Sequence, residues 1–332
     1  MKAINKTIYV LVTIMSILSF SYSVKADSND FSIVPVLPEN QNANVPSYFD
    51  LMVTPNQKQN LKIKIINNSS ENTKYNIYVN TATTNQNGIL DYSISDFDKD
   101  NSMKVSVKDC INLEEEQVEV PAKSSKEVSF TLSVPEISFE GVALGGITVE
   151  PIIEESEEKG VNSVFTRTLA IQLAESKTDI APQLEGGGIT VSQENLRNNV
   201  KFGLRNISPV IVQKVKADIT ITKQGGKTPI VKESKEQLSF APNSKFSLMT
   251  QWEKKFEPGN YNYHIALKDG NGHSWEFEEA FEIKNDDAKK LNAKSVDEEK
   301  KSIWKYLLIS LLIVVAIISI IYVLVTKKKK ER

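Results

Sequence analysis

The feature that most constrains the fold is a two-residue alternation of apolar and polar side chains. Successive side chains of a β-strand point to opposite faces, so this alternation is typical of a strand with one buried and one solvated face. The pattern is found in residues 61–65, 75–79, 128–134, 169–173, 202–204, 215–221 and 261–267. Turn signals rich in Asn, Gly and Ser separate these segments, and no amphipathic helix is evident before residue 303. The sequence therefore predicts an all-β protein of antiparallel sheets packed as sandwiches.

A weak internal repeat divides the body of the chain into two domains. Each half has a strand that ends in an Asn turn, at Asn67 and at Asn206, and later a Pro-Ser corner that leads into another strand. We therefore expect two tandem immunoglobulin-like β-sandwich domains, at residues 31–174 and 176–284. The first copy is the longer, and its excess includes residues 81–104. The acidic run at 154–160 is either a loop of the first domain or a linker, which would move the boundary to 152–160.

Both ends of the chain carry apolar segments. Residues 306–325 contain no charge, Pro or Gly, and a basic tail follows at 327–332. About 20 apolar residues are enough for a helix to cross a bilayer, and basic clusters stay in the cytoplasm. We therefore expect a C-terminal transmembrane helix at 303–326 after a charged stalk at 285–302. Residues 1–26 resemble a secretory signal peptide, the alternative being a retained anchor. These segments predict a single-pass protein of the cell membrane, with its bulk outside and its C-terminus cytoplasmic.

Charge and cysteine content exclude some classes of function. Residues 27–302 contain 31 basic and 41 acidic residues, a net charge near −10 that argues against nucleic acid as a partner. Cys110 is the only cysteine, so no intrachain disulfide can form. It is either a small buried hydrophobe, which we favour, or a reactive thiol.

Catalytic and metal-binding patterns have little support in the sequence. His264 and His273 are the only histidines, and neither is part of a visible Ser/His/Asp arrangement. The acidic runs at 114–116 and 154–158 are either Ca²⁺ ligands or solvated loops, and we favour loops. We therefore expect no enzyme activity, no catalytic residue, no metal and no cofactor.

One stretch has a composition suited to binding. Residues 81–92 are dense in hydroxyl and amide side chains, nearly uncharged, and end in an aromatic residue, which suits a glycan or an extended peptide. The candidate binding residues here are Thr83, Thr84, Asn85, Asn87, Asp91 and Tyr92. The structural alternative is that Tyr92 is a core aromatic and that Asn87 with Gly88 forms only a turn.

Several motifs resemble a known family. Residues 31–41, 47–51, 83–92 and 145–147 resemble the N-terminal domain of the WxL-interacting protein family, and residues 238–244, 258–261 and 275–283 resemble its second domain. The resemblance implies a Gram-positive cell-surface protein with a peptidoglycan-binding domain and a domain for host ligands, assembled with WxL-domain proteins. It brings no catalytic or metal site. Because no sortase motif precedes the apolar segment, we expect the protein to remain embedded in the membrane.

The function expected from the sequence is a non-enzymatic adaptor. It would link peptidoglycan, WxL-domain surface proteins and host extracellular-matrix protein. The second matching motif adds Tyr48, Phe49 and Asp50 to the candidate binding residues. The alternative is an envelope assembly factor, a chaperone or an unrecognised surface enzyme that acts on exported proteins.

Overall fold

A computed structural model describes residues 31–153 and 164–296. They fold into 18 strands and two short helices, and form two compact units. The strands are β1 Phe31–Val36, β2 Phe49–Met52, β3 Lys58–Asn67, β4 Thr73–Thr81, β5 Thr83–Thr84, β6 Leu90–Asp91, β7 Ile111–Leu113, β8 Gln117–Val120, β9 Ser125–Ser133, β10 Ala143–Pro151, β11 Arg167–Ala174, β12 Leu184–Glu194, β13 Arg197–Asn206, β14 Val212–Lys223, β15 Pro229–Phe240, β16 Ser244–Gln251, β17 Gly259–Lys268 and β18 Ser274–Ile283. The helices are α1 Val107–Cys110 and α2 Asn285–Asn292.

The first unit is a sandwich of two sheets. Its strand orders are β1-β3-β9-β7 and β2-β11-β10-β4-β8. The alternating apolar residues of β3, β4, β9, β10 and β11 are buried between the sheets. Phe49 and Phe130, for example, meet edge to face with ring centroids 5.9 Å apart. The alternation seen in the sequence thus provides the core of this unit.

The strand β2 has an unusual position in the five-stranded sheet. It lies at the edge and pairs in parallel with β11, about 120 residues later in the chain. The loop before β2 folds back over its free side, where Asn42 N donates to Asp50 O at 2.8 Å and Met52 N donates to Asn40 O at 3.2 Å. This loop satisfies backbone groups that an edge strand would otherwise leave open.

The second unit is also a two-sheet sandwich. Its sheets have the orders β12-β13-β16 and β15-β14-β17-β18. Aromatic residues dominate the core: Phe202 and Tyr263 stack with an interplanar angle of 1°, and Trp252 packs against Phe256 and Tyr261. The buried Tyr263 hydroxyl hydrogen-bonds Thr250 at 2.8 Å, and burial raises the pKa of this tyrosine.

Two segments of the second unit come from within the predicted first domain. Residues 82–104, which contain the two-stranded ribbon β5-β6, and residues 139–143 both belong to the second unit. The chain leaves the first unit after Thr81 and re-enters it at Val105. Each unit is therefore discontinuous in sequence.

The predicted transmembrane helix needs correction. Helices α1 and α2 have four and eight residues, whereas about 20 are needed to cross a bilayer. Of the helices in residues 31–153 and 164–296, none is long and apolar enough for a membrane span. This finding contradicts the part of the fold prediction that added a transmembrane helix, and with it the predicted single-pass location in the cell membrane.

Several predicted segments, the transmembrane helix among them, fall outside the described residues. The signal peptide at 1–26, the span at 303–326 and the basic tail at 327–332 all lie there. Part of the predicted stalk at 285–302, however, lies within the described residues. Residues 285–292 form α2, in which Ala288 is buried in the core of the second unit and Asn292 hydrogen-bonds both N and O of Phe256.

Candidate functional site

The outer face of the five-stranded sheet carries a row of polar side chains. Along β4, β10 and β11 the apolar residues point into the core, so the residues between them point outward. Amides, hydroxyls, one phenol and one carboxylate lie among the outward positions of the five strands, together with Glu150 of β10, the register partner of Asn76. We name this row the polar ladder, and it consists of Asp50, Gln172, Thr168, Thr148, Tyr78, Asn76 and Gln117.

Hydrogen bonds between neighbouring strands fix the side chains of the ladder. Gln172 Nε2 donates to Asp50 Oδ1 at 2.9 Å, which links β11 to β2. The hydroxyls of Thr148 and Thr168 lie 2.8 Å apart and link β10 to β11. At the other end, Gln117 Nε2 donates to Asn76 Oδ1 at 3.0 Å and links β8 to β4.

Tyr78 occupies the middle of the row. It pairs in register with Thr148 and is half-buried, and burial, followed by the nearby Glu150, raises the pKa of its phenol. The phenol is therefore neutral at physiological pH. It offers a ring as well as a hydroxyl that can donate and accept.

At the β2 end, amide side chains surround Asp50. Its second carboxylate oxygen, Oδ2, accepts from Asn42 Nδ2 at 2.7 Å, and its backbone N donates to Gln41 Oε1 at 3.1 Å. The Gln41 amide also donates to Tyr48 O at 3.0 Å. Burial, followed by Asp50, raises the pKa of Tyr48. This end of the ladder presents a preorganised set of donors and acceptors around a single formal charge.

The structure separates the residues predicted from sequence. Asp50 belongs to the ladder and Tyr48 lies beside it, whereas Phe49 is fully buried against Phe130. The other six lie in the ribbon of the second unit: Thr83, Thr84, Asn85, Asn87, Asp91 and Tyr92. The predicted set is thus split between two units.

Within the ribbon, most of the predicted polar groups make local bonds. Thr83 and Thr84 are buried, and Thr83 Oγ1 donates to Asp91 O at 3.3 Å. Asn85 Oδ1 accepts from the backbone N of Asn87 and of Ile89, which fixes the turn. Asp91 Oδ1 accepts from N and Oγ of Ser93. Asn87 is exposed and Tyr92 is half-buried.

Sequence reasoning missed most of the polar ladder. Six of its seven residues were not candidates, because the alternating segments were used only to predict strands and their buried apolar residues, and the polar residues between them were not considered as a site. The signal was present: Asn76 and Tyr78 alternate with core residues of β4, and Thr168 and Gln172 alternate with core residues of β11. What the sequence does not give is the lateral order of the strands that places these residues on one face of the sheet.

The histidines serve local structure. His264 Nε2 lies 2.6 Å from Glu276 Oε1 on the neighbouring strand. His273 Nδ1 lies 2.8 Å from Asp269 Oδ2, and Asp269 Oδ1 also accepts from the backbone N of Asn271 and of His273. In the part of the chain that the structure describes, no group of three or more His, Cys, Asp or Glu residues could hold a metal ion.

Comparisons with known proteins assign both parts of the chain. Residues 31–151 match the family model described as WxL Interacting Protein, peptidoglycan binding domain, and residues 156–293 match WxL Interacting Protein, host binding domain. No curated protein sequence gives a significant match.

Among solved structures, several fimbrial chaperones show a distant likeness. A chain of the CsuC–CsuE chaperone–tip subunit pre-assembly complex of Acinetobacter baumannii is 12% identical, with 75% of this chain and 98% of that chain covered and a TM-score of 0.34. The class 5 fimbriae chaperone CfaA is 15% identical, with 75% and 98% covered and a TM-score of 0.32. The YadV chaperone is 9% identical, with 77% and 100% covered and a TM-score of 0.30.

Proposed function

Because the chain belongs to the WxL-interacting protein family, we propose that it is a non-enzymatic surface adaptor that holds peptidoglycan on the polar ladder. The family models identify its domains as peptidoglycan-binding and host-binding, which are binding functions. They do not favour the alternative of an envelope assembly factor. The single observation that supports the site is the row of hydrogen-bonded amides and hydroxyls across one face of the first unit.

The chemistry of the polar ladder suits a glycan strand. Sugar hydroxyl and N-acetyl groups need both donors and acceptors, and the amides of Asn76, Gln117 and Gln172 provide both kinds. Tyr78 adds an aromatic ring against which a sugar ring can pack. The side chains are already held by their neighbours, so less conformational entropy is lost when a ligand binds.

We assign the remaining partners by domain. The second domain, whose family description is host binding domain, would contact host extracellular-matrix protein, and the whole chain would associate with WxL-domain surface proteins. Pull-down with the purified chain, followed by identification of the captured proteins, tests the WxL-domain partners. If WxL-domain proteins are not enriched over a control protein, this part of the proposal fails.

Co-sedimentation with purified peptidoglycan tests the ladder. We expect Asn76→Ala/Gln117→Ala, combined with Tyr78→Ala, to weaken binding at least about tenfold, or roughly 1.4 kcal/mol. Moderate salt should have little effect, because the side chains proposed to hold the glycan, those of Asn76, Tyr78, Gln117 and Gln172, are uncharged.

A matched control exists on the other sheet of the same unit. Asn60 and Thr131 are cross-strand neighbours on β3 and β9, as Asn76 and Gln117 are on β4 and β8. Asn60→Ala/Thr131→Ala should leave binding unchanged. If the ladder and control variants bind equally well, or if binding falls only in proportion to lost folded protein, the assigned site is wrong.

A further inference from the structure

We propose that residues 82–104 are a strap that closes one side of the second unit and excludes the β-strand of another chain from it. This role is additional to the proposed function. It follows from where the ribbon lies and from which backbone groups it contacts.

The strap covers the side of the second unit on which the edges of both sheets would otherwise be open. Strands β15 and β16 are edge strands of the two different sheets of this sandwich. Edge strands expose backbone N–H and C=O groups, to which a strand of another molecule can add. In a two-sheet sandwich such an opening also exposes the apolar layer between the sheets.

The tip of the strap provides hydrogen-bond acceptors for both edges. Gly88 O accepts from Ser239 N of β15 at 2.8 Å, and Gln86 O accepts from Met249 N of β16 at 2.8 Å. Between them, Thr84 Oγ1 accepts from the buried Ala241 N at 2.9 Å. The strap thus occupies the backbone groups that an added strand would need.

Packing at the tip requires glycine. Gly88 has a φ of +74°, and a Cβ at this position would lie 3.2 Å from side-chain atoms of Leu238 and Leu248. These two leucines belong to the core of the second unit. The tip therefore closes the apolar layer as well as the edges.

The C-terminal half of the strap is held by charge. Arg205 of β13 donates to both carboxylate oxygens of Asp100, from Nε at 2.6 Å and from a terminal nitrogen at 3.0 Å. Lys245 of β16 pairs with Asp98. The Asp100 side chain is only 1% exposed, so this contact anchors the strap beyond its tip.

Hydrogen exchange and sedimentation on the full chain test the proposal. We expect the amides of Ser239, Ala241 and Met249 to be protected in the unaltered protein. Gly88→Val should speed their exchange at least about tenfold, because a β-branched residue is strained at this φ and meets the leucines. The exposed edges should then pair with those of a second copy, which sedimentation velocity detects as a concentration-dependent dimer.

Gly225→Val is the matched control. Gly225 has nearly the same φ, +76°, and lies in an exposed turn of the same unit with nothing within 4 Å of its Cβ position. This variant should remain monomeric and keep the three amides protected. Rapid exchange at Ser239 and Met249 in the unaltered protein would overturn the proposal. So would a Gly88→Val protein that exposes these amides and stays monomeric at every concentration.

A cross-link tests the docking even if Gly88→Val does not fold. The hydroxyls of Thr84 and Ser244 lie 3.3 Å apart, so Thr84→Cys/Ser244→Cys in a Cys110→Ala background should form a disulfide on oxidation. Thr83→Cys/Ser244→Cys should not, because neighbouring residues of a strand point to opposite sides. If neither pair, or both pairs equally, cross-link, the strap is not docked as proposed.

Discussion

Replacing Thr84 by Val tests how the strap is held. The exchange keeps the shape of the side chain but removes the oxygen that accepts from Ala241 N. Ser244 is not left without a partner, because its hydroxyl also donates to Ala241 O at 2.7 Å. The loss is therefore one buried backbone donor without an acceptor, and Ala241 is fully buried. Such a donor costs about 1–3 kcal/mol, so we expect the second unit to lose about 2 kcal/mol, or roughly 4–8 °C in Tm.

Tryptophan fluorescence can follow this loss in the full chain. Two of the three tryptophans, Trp252 and Trp275, belong to the second unit, and replacing the third, Trp304, by Phe leaves an emission that reports on that unit rather than the first. Thr83→Val is the control: its hydroxyl makes only a 3.3 Å bond to Asp91 O, and we expect a loss below about 1 kcal/mol. If Thr84→Val melts like the unaltered protein and Ala241 keeps its protection from exchange, the docking is described wrongly. If peptidoglycan binding falls more than the folded fraction does, Thr84 contacts the ligand, as the sequence first suggested.

Two further predictions concern titratable groups. Burial, followed by the nearby Asp109, raises the pKa of the Cys110 thiol to about 11, so alkylation at neutral pH should be slow until the protein unfolds; rapid labelling of the native chain, measured by intact mass, would contradict its burial. The Arg205 guanidinium holds the pKa of Asp100 well below its usual range, so the stability that this carboxylate contributes is present above about pH 4 and is lost as pH falls further. Asp100→Asn should therefore flatten the acid side of the melting profile, and equal slopes in both proteins would refute the assignment.

The strands could be predicted from sequence because their signal is local. Leu61, Ile63 and Ile65 of β3 alternate with polar residues in the printed sequence, and all three are buried in the structure. The same reasoning extends to five of the seven residues of the polar ladder, since a residue between two core positions of a strand must face outward.

That residues 82–104 pack against β15 and β16 of the second unit could not be predicted in this way. The bond between Thr84 and Ala241 joins residues 157 positions apart. At the tip, the contacts with Ser239 and Met249 use backbone carbonyls, which every residue has, so composition carries no sign of them. Hydroxyl and amide side chains suit a solvated binding loop as well as a buried edge cover. Only the three-dimensional arrangement distinguishes the two.

The discontinuous make-up of both units has a consequence for folding during synthesis. Thr84 emerges 160 residues before Ser244, which at about 5–20 residues per second is roughly 8–30 s. Asp50 likewise precedes Gln172, its partner on β11, by 122 residues. The first sandwich can be completed once β11 has been made, whereas residues 82–104 must wait for β15 and β16, which follow later in the chain. Contacts between such distant residues also slow folding, which leaves open strand edges exposed for longer in the newly made protein.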